Sequence, residues 1–456
     1  MLDDTIAAIA TPLGEGGLAV VRVSGAQALA VADRCFEPAG PAAPRPSTAA
    51  SHTVHYGRIR SDGRVADEVM LTVLRAPRTY TREDVIEIGC HGGLLPARLV
   101  LAAVLAAGAR LAEPGEFTKR AFLNGRLDLA QAEAVADVIH ARTELALAAA
   151  QEQLAGHLSQ RINQLRDDLL GLLAHVEAHI DFPDEDIAPD TRAHMATRVE
   201  RAMAFIDTLL RTANEGQVLR RGVRAAIVGR PNVGKSSLLN RLLGHDRAIV
   251  APTPGTTRDT IEETANIRGL PVVFIDTAGL RDADDQVEQE GIRRSRSSLD
   301  RAELVLHVLN AAEPLTPLDA RHLAEFAGKP RIFVLNKADC PARAELPATG
   351  ETPRVRVSCR TGEGLEALKD AIKERIWAGD IRAEMLQVMI NVRHQDALRR
   401  ARGAAEQTLA GLREDRALEL VAFDLRLAVN AVGEVVGRTA TEDLLDSIFA
   451  QFCIGK

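Results

Sequence analysis

The sequence predicts a multidomain protein in which an α+β domain comes first and an all-α domain follows, with a doubly wound α/β domain inserted into the helical part. Three observations lead to this prediction. The 456 residues exceed what one core usually organises, since domains run to roughly 100–200 residues. Apolar residues recur at helical spacing in two separate segments. Between those segments, short β-branched runs predicted to be strands, at 223–228, 272–275, 304–309, 332–335 and 354–357, alternate with helical stretches.

The first 122 residues are expected to form the α+β domain. Strand-like runs occur at 18–23 and 69–74, and residues 94–107 read as a helix. The Pro/Ala-rich stretch 38–50 is predicted to be a surface loop. This mixture is typical of a sheet with helices packed on it.

Two segments, 123–218 and 381–456, are predicted to form one helical domain. The first contains no proline before Pro183 and the second contains none, and both are rich in Ala, Leu, Glu and Arg. Neither segment would cover its apolar stripe alone. We therefore expect them to pack together, with residues 219–380 inserted between them.

Composition and charge argue against several classes of protein. The five cysteines are scattered and never form a CxxC pair, so neither a disulfide framework nor a zinc site is indicated. No apolar run reaches the roughly 18 residues that span a bilayer, and the first residues lack the basic region of a signal peptide. A net charge of −7 argues against bulk attraction to nucleic acid. We expect a cytoplasmic protein.

The inserted segment carries a phosphate-binding pattern. A predicted strand at 223–228 leads into GxxxxGKS, from Gly229 to Ser236, and then into an apolar helix. In this context the backbone N–H groups surround phosphate oxygens, Lys235 reaches the β and γ phosphates, and the Ser236 hydroxyl coordinates Mg²⁺. An isolated pattern could be a chance loop, but the flanking strand and helix favour a P-loop. The predicted contacts are Asn232, Val233, Gly234, Lys235, Ser236 and Ser237.

Three further elements follow predicted strands at 272–275, 332–335 and 354–357. They are Asp276, Thr277, Ala278 and Gly279, expected near Mg²⁺ and the γ phosphate; Asn336, Lys337 and Asp339; and Ser358, Cys359 and Arg360. The Asp339 carboxylate could accept two hydrogen bonds from guanine N1 and N2, which adenine cannot offer. The ordered set therefore predicts GTP as the nucleotide.

A loop rich in Pro, Gly and Thr lies between these elements and contains Thr256 and Thr257. Such a loop is suited to a switch that orders around the γ phosphate, and Thr257 is the second predicted Mg²⁺ ligand. The residue after Gly279 is Leu280, which cannot orient an attacking water. Another group must supply that role.

Five distinctive motifs occur along the chain, namely Asp4-Thr-Ile-Ala with Gly16-Gly17, the run 114–124, the run 127–134, Gly255-Thr-Thr-Arg-Asp259 and the terminal Phe452-Cys-Ile-Gly-Lys456. Through these motifs the whole chain resembles the MnmE (TrmE) family of tRNA-modification GTPases. The resemblance implies an N-terminal domain that dimerises and binds 5,10-methylenetetrahydrofolate or 5-formyltetrahydrofolate. It also implies an FAD-containing MnmG-like partner, forming a heterotetramer that adds a (carboxymethyl)aminomethyl-type group to carbon 5 of the wobble uridine (U34) of certain tRNAs.

Residue by residue, the resemblance implies folate contacts for Arg22, Glu87, Arg126 and Lys456. Each could instead belong to a surface or structural ion pair, and Arg126 stands where some relatives carry lysine. Cys453 matches the family's C-terminal cysteine and is a candidate catalytic residue. It is either a thiol activated near Lys456 or a small buried apolar residue.

The resemblance also implies a K⁺ site and a catalytic glutamate. The K⁺ site involves the Asn232 side chain and the backbone near Ala251, Thr253 and Thr256, where the cation would offset charge as an arginine finger does. Glu288 is expected to orient the hydrolytic water through another water. Two alternatives stay open at this stage, namely an RNA or ribosome assembly switch of the Era/Der type and a self-contained folate enzyme regulated by its GTPase domain.

Overall fold

Two sheets and a set of long helices make up the structure, a computed structural model that describes residues 4–40, 42–61, 63–181, 192–244, 262–275, 301–346, 352–377 and 383–455. The predicted fold class is confirmed, since an α+β sheet domain, long helices and a mostly parallel α/β sheet are all present. The predicted Thr253, Thr256, Thr257, Glu288 and Lys456 lie outside the described residues, together with Ala251, Asp276, Thr277, Ala278 and Gly279.

The strands are β1 (Ile6–Ile9), β2 (Leu18–Ser24), β3 (Phe36–Pro38), β4 (Thr53–Ser61), β5 (Arg64–Leu74), β6 (Val85–His91), β7 (Arg110–Leu111), β8 (Val223–Val228), β9 (Glu263–Ile267), β10 (Leu270–Phe274), β11 (Leu304–Asn310), β12 (Arg331–Asn336) and β13 (Arg354–Arg356). The helices are α1 (Ala28–Cys35), α2 (Leu94–Ala106), α3 (Glu116–Leu123), α4 (Leu129–His140), α5 (Glu144–Leu154), α6 (His157–Asp181), α7 (Arg192–Arg211), α8 (Ala213–Arg221), α9 (Lys235–Leu243), α10 (Pro317–Glu325), α11 (Leu365–Ile376), α12 (Ala383–Leu386), α13 (Val392–Arg413), α14 (Leu418–Val435) and α15 (Glu442–Phe449).

The chain divides into two compact units, Met1–Ala136 with Asn430–Lys456 and Asp137–Val429. The domain boundaries predicted after residues 122, 218 and 380 stay a prediction. None of the helices in the described ranges combines the length and apolar character that a bilayer crossing requires.

The sheet of the first unit has the strand order β3-β4-β5-β6-β2-β1-β7 and is antiparallel except where β1 meets β7. Alternate residues such as Val21, Leu71 and Ile88 are buried in one core with residues of α1 and α2. Because side chains alternate along a strand, their neighbours point to the opposite face. That face carries Arg22 and Glu87, which are direct cross-strand partners.

A buried arginine stabilises this unit. The Arg120 side chain is fully buried, and its guanidinium forms ion pairs with Asp4 at 2.6 Å, Glu116 at 3.0 Å and Glu83 at 3.1 Å. Burial alone would raise the pKa of the Glu116 carboxyl, but hydrogen bonds from Arg110 and Arg120 outweigh burial and hold that pKa below its ordinary value. The network ties the first strand to helix α3.

The sheet of the second unit has the order β13-β12-β11-β8-β10-β9. The five predicted strands all occur within two residues of their predicted bounds and pair in parallel. The sequence analysis missed β9, an antiparallel edge strand joined to β10 by a tight turn. Arg268 and Gly269 have φ values of 54° and 89° there, which matches a two-residue hairpin turn. In the sequence, the only signal for this turn is the glycine at its second position.

Helices from both predicted helical segments pack together in this unit. The Asp207 carboxylate on α7 accepts a hydrogen bond of 2.6 Å from Arg402 on α13. An apolar cluster joins α5 and α8 to the α/β sheet, with Leu219, Leu270, Trp377 and Met389 among its buried members. The helical scaffold therefore contacts the second strand of the β9–β10 hairpin directly.

We expect Arg120→Gln to lower the free energy of unfolding of the first unit by about 3 kcal/mol, because Glu83 loses its cation while Glu116 and Asp4 keep only Arg110. The two tyrosines, Tyr56 and Tyr80, both lie in this unit and the single tryptophan, Trp377, in the other. Urea unfolding followed by tyrosine emission measures the effect, and unchanged tryptophan emission is the control.

The difference between the wild type and this variant should shrink in acid. A carboxyl whose pKa is lowered by folding stabilises the protein above its unfolded pKa, near 4.5 for Glu116, and loses that contribution as the pH falls. A difference that stayed constant between neutral pH and pH values below 4.5 would contradict the assigned role of the ion pairs.

Candidate functional site

The loop between β8 and α9 has the backbone of a phosphate-binding turn. Gly229 (φ 148°), Asn232 (φ 63°) and Gly234 (φ 98°) all adopt positive φ. A Cβ on Gly229 would collide with the Val308 carbonyl of the adjacent strand β11, and a Cβ on Gly234 would collide with the Asn336 amide. Glycine is therefore required at both positions by close packing as well as by conformation.

Lys235 closes this loop from inside. Its ammonium donates hydrogen bonds to the carbonyl oxygens of Gly229 at 2.8 Å and Arg230 at 2.9 Å. Burial lowers the pKa of the Lys235 ammonium. Ser236 and Ser237 follow it in the first turn of α9, where the helix N-terminus and its dipole favour an anion. The described part of the predicted P-loop thus has the chemistry that phosphate requires.

Arg230 anchors the loop to a second element, which the sequence analysis did not identify. Its guanidinium pairs with Glu313 and lies 3.3 Å from the buried carboxylate of Asp319. Asp319 also forms the capping box of α10 with Thr316. The pattern Thr316-Pro-Leu-Asp319 could have predicted a helix start, but nothing in it identifies the arginine partner.

Asn336 joins the phosphate loop to the loop after β13. Its side-chain amide donates to the carbonyl of Val233 at 2.7 Å, and its Oδ1 accepts from the backbone N–H of Cys359 at 3.2 Å. Asn336 is buried, so both hydrogen bonds are protected from water. The end of β12 therefore positions the two loops relative to each other.

The predicted base-binding residues lie together. Asp339 Oδ1 accepts a hydrogen bond of 2.6 Å from Ser358, and Arg360 lies 2.9 Å from Oδ2. The Ser358 hydroxyl and, to a smaller extent, Arg360 lower the pKa of the Asp339 carboxyl, which keeps it an ionised acceptor. Arg241 of α9 donates to the carbonyls of Cys359 and Arg360 at 2.7 and 2.8 Å. Lys337, between Asn336 and Asp339, adopts positive φ.

The remaining predicted nucleotide, Mg²⁺ and K⁺ residues and the predicted catalytic Glu288 lie outside the described residues. Of the two predicted Mg²⁺ ligands, Ser236 is described, as the second residue of α9. Within the described residues, no three His, Cys, Asp or Glu side chains are placed to hold a metal. The predicted Mg²⁺ ligands, Ser236 and Thr257, carry hydroxyls and are not among these four residue types.

A second candidate site lies on the sheet of the first unit. Arg22 pairs with Glu87 at 2.8 Å and donates to the carbonyl of Gly455 at 3.3 Å. The Arg22 guanidinium also lies 5.9 Å from the ring centroid of Tyr80 and 5.7 Å from that of Phe117. Arg22 and Glu87 therefore form the ion pair that the sequence left open as an alternative to folate contacts. The C-terminal segment lies against this pair through Gly455.

Arg126 also contacts Tyr80. Its guanidinium lies 4.7 Å from the Tyr80 ring centroid and donates to the Tyr80 carbonyl at 2.9 Å. Cys453 is exposed, so the interpretation of this residue as a small buried apolar side chain is wrong. Its carbonyl accepts a hydrogen bond of 3.4 Å from Gly115, which joins the C-terminal segment to the start of α3.

Comparison with known proteins identifies the relatives of this chain. The family model for the MnmE helical domain matches residues 129–453, and that for the GTP-binding protein TrmE N-terminus matches residues 5–126. A tRNA modification GTPase MnmE of Geobacillus kaustophilus is 49% identical over 99% of this chain and 99% of its own length. The protein of that name from Chloroflexus aurantiacus is 50% identical over 100% of both chains.

Among solved structures, the G domain of the T. maritima FeoB iron transporter is 27% identical and covers 34% of this chain and 98% of its own. The TM-score of this match is 0.26.

We expect Asp339→Asn to lower GTP affinity roughly a hundredfold, because it removes a charged acceptor of two hydrogen bonds, and to increase affinity for xanthine nucleotides. Titration calorimetry with GTP and XTP measures both changes. Asp370→Asn is the matched control, since it makes the same carboxylate-to-amide change on α11 at a side chain that is 58% exposed and pairs with Arg268, and it should change affinity by no more than about threefold. Unchanged GTP binding in Asp339→Asn would contradict the assignment.

Proposed function

This chain belongs to the MnmE (TrmE) family of tRNA modification GTPases, and from that premise we propose that it is a K⁺-dependent GTPase that modifies tRNA together with an FAD-containing MnmG-like partner. The reaction proposed is addition of a (carboxymethyl)aminomethyl-type group to carbon 5 of the wobble uridine, U34, in certain tRNAs. The observation that supports GTP binding and hydrolysis is the pair of hydrogen bonds by which Asn336 connects the P-loop to the loop after β13, which contains Ser358 and Cys359.

GTP would bind with its phosphates on the N–H groups of residues 232–237 and its base on Asp339. Lys235 would leave its two carbonyl acceptors for the β and γ phosphates, a change favoured by the stronger negative charge of the phosphates. The hydroxyls of Ser236 and Thr257 would hold Mg²⁺, which would neutralise charge on those phosphates. Asp276 to Gly279 would contact the metal's water and the γ phosphate.

Leu280 cannot orient water, so the proposed mechanism assigns this role to Glu288. K⁺ would contribute positive charge against the phosphates, where an arginine finger acts in other GTPases. Asn232 projects from a left-handed backbone position within the phosphate loop. Its amide oxygen, with backbone carbonyls near Ala251, Thr253 and Thr256, is an appropriate ligand for a hard monovalent cation.

The cluster around Arg22 fits a tetrahydrofolate. A pteridine ring offers N–H donors that a carboxylate such as Glu87 accepts, and folates end in glutamate carboxylates that arginines bind. Glu87 and Arg22 are partly exposed, and the guanidiniums of Arg22 and Arg126 both lie near the Tyr80 ring. We assign Arg22, Glu87, Arg126 and Lys456 to 5,10-methylenetetrahydrofolate or 5-formyltetrahydrofolate. The exposed Cys453 is the proposed catalytic thiol beside it.

A homodimer is proposed through the sheet of the first unit. The face opposite α1 and α2 carries the exposed side chains of Leu18, Val54, Tyr56 and Met70. Tyr56 and Met70 are direct cross-strand partners. Contiguous apolar residues on a sheet face favour association. The further partners proposed are the MnmG-like flavoprotein, in a heterotetramer, and tRNA, and the proposed compartment is the cytoplasm.

We expect GTP hydrolysis to be roughly tenfold or more faster in K⁺ than in Na⁺, since the cation would replace an arginine finger. Asn232→Gly should abolish the difference while keeping the backbone, because glycine adopts φ near 63° without strain. Phosphate release at matched ionic strength measures both. Equal rates of the wild type in the two salts would remove K⁺ from the mechanism.

Glu288→Ala should lower kcat roughly a hundredfold and leave the Kd for GTP within about twofold, since the residue would act only in the transition state. Glu290→Ala, two residues away, is the matched control and should retain full activity. A loss of GTP binding in Glu288→Ala would mark the residue as structural instead.

Modified U34 should appear in tRNA only when the purified protein is combined with an MnmG-like flavoprotein, a tetrahydrofolate donor and GTP. Mass spectrometry of wobble nucleosides measures it. Cys453→Ser should abolish the modification with GTP hydrolysis unchanged. Modification without the flavoprotein would instead favour a self-contained folate enzyme.

A further inference from the structure

An open cavity of about 520 Å³ lies beside the proposed folate site. This volume is within the range of small-molecule sites, roughly 300–1,000 Å³. Its lining includes Arg78, Arg82 and Arg126 with Tyr80 and His52. Among the described residues that line it there is no carboxylate.

The three arginines have no carboxylate partner anywhere in the described part of the chain. Arg82 donates to the Asn124 carbonyl at 3.0 Å and Arg126 to the Tyr80 carbonyl at 2.9 Å, and neither forms a recorded ion pair. Arg78 is exposed with no recorded hydrogen bond or ion pair. In a protein with 63 acidic and 56 basic residues, three unneutralised guanidiniums around one cavity create a local positive potential.

Arg82 and Arg126 are held in place by hydrogen bonds between two segments of the chain. Segment 80–82 is joined to segment 124–126 by three hydrogen bonds, the two just described and one from the Asn124 amide to the Thr81 carbonyl at 2.7 Å. Arg82 adopts a left-handed conformation with φ 59°. Such preorganisation lowers the entropy lost when an anion binds.

The cavity is continuous with the proposed folate site through Tyr80 and Arg126. The Tyr80 ring has Arg22 at 5.9 Å and Arg126 at 4.7 Å from its centroid, and both Tyr80 and Arg126 line the cavity. A ligand whose ring system contacts Arg22 and Glu87 and whose acidic end reaches Arg126 would therefore continue toward Arg78 and Arg82.

We propose that Arg78 and Arg82 form a subsite for the poly-γ-glutamyl tail of a folate, so that the protein prefers polyglutamylated over monoglutamylated tetrahydrofolate. This inference rests on the proposed folate site. Each added γ-glutamyl residue brings one carboxylate, and guanidinium groups match carboxylates with two parallel hydrogen bonds. A chain of carboxylates in an open cavity suits several separated arginines better than a single compact anion does.

The experiment is titration calorimetry of the full-length protein with 5-formyltetrahydrofolate carrying one, three or five glutamates. We expect the pentaglutamate to bind roughly five- to thirtyfold more tightly than the monoglutamate, as two exposed arginine–carboxylate pairs would give. Added salt should reduce this ratio. In the double variant Arg78→Gln/Arg82→Gln the ratio should fall to near one.

The matched control is Arg64→Gln/Arg98→Gln. It makes the same change of charge at two exposed arginines of the same unit that do not line the cavity, and it should keep the wild-type ratio. A third variant, Arg78→Lys/Arg82→Lys, keeps the charge and should retain part of the preference.

The outcomes separate the inference from the function on which it rests. Equal affinity of the wild type for the monoglutamate and the pentaglutamate overturns the tail subsite and leaves the folate site standing. No binding of any folate overturns both. A further arm measures binding of unmodified tRNA. If the Arg78→Gln/Arg82→Gln variant weakens tRNA binding but keeps the folate ratio, the cavity is a contact for RNA phosphates and the inference is wrong.

Discussion

The candidate nucleotide site depends on the two hydrogen bonds of the Asn336 side chain. Asn336 ends strand β12 and is buried. Its amide donates to the carbonyl of Val233 in the phosphate loop at 2.7 Å and accepts from the N–H of Cys359, in the loop after β13, at 3.2 Å. A buried amide that lost either partner would pay the desolvation of an unmade hydrogen bond. The distance between the phosphate end and the base end of a nucleotide is thus set by one residue of the sheet.

The second site is organised by the pleat of a different sheet. Because β2 and β6 pair in antiparallel register, Arg22 and Glu87 are opposite each other on the face that α1 and α2 leave uncovered. The same face carries Tyr56 and Met70. A carboxylate–guanidinium pair next to exposed apolar side chains explains how one surface could serve both ligand binding and association.

Local patterns were the reliable part of the prediction. Strands β8, β11 and β12 were predicted because buried parallel strands read as continuous apolar runs, and the P-loop because its glycines and lysine occur at fixed spacing between a strand and a helix. Strand β9 was missed because three of its five residues are polar, and its turn signal, Arg268-Gly269, is a weak variant of the usual hairpin dipeptide.

By itself, the sequence determined the fold class, the phosphate loop, the guanine-type motif and the family, because each depends on residues close together along the chain. Only the tertiary structure decided which distant residues meet. It placed Arg230 against Glu313 and Asp319, exposed Cys453, and surrounded one cavity with Arg78, Arg82 and Arg126. Such contacts follow from strand register and helix packing, which the whole core sets, so that no local pattern encodes them.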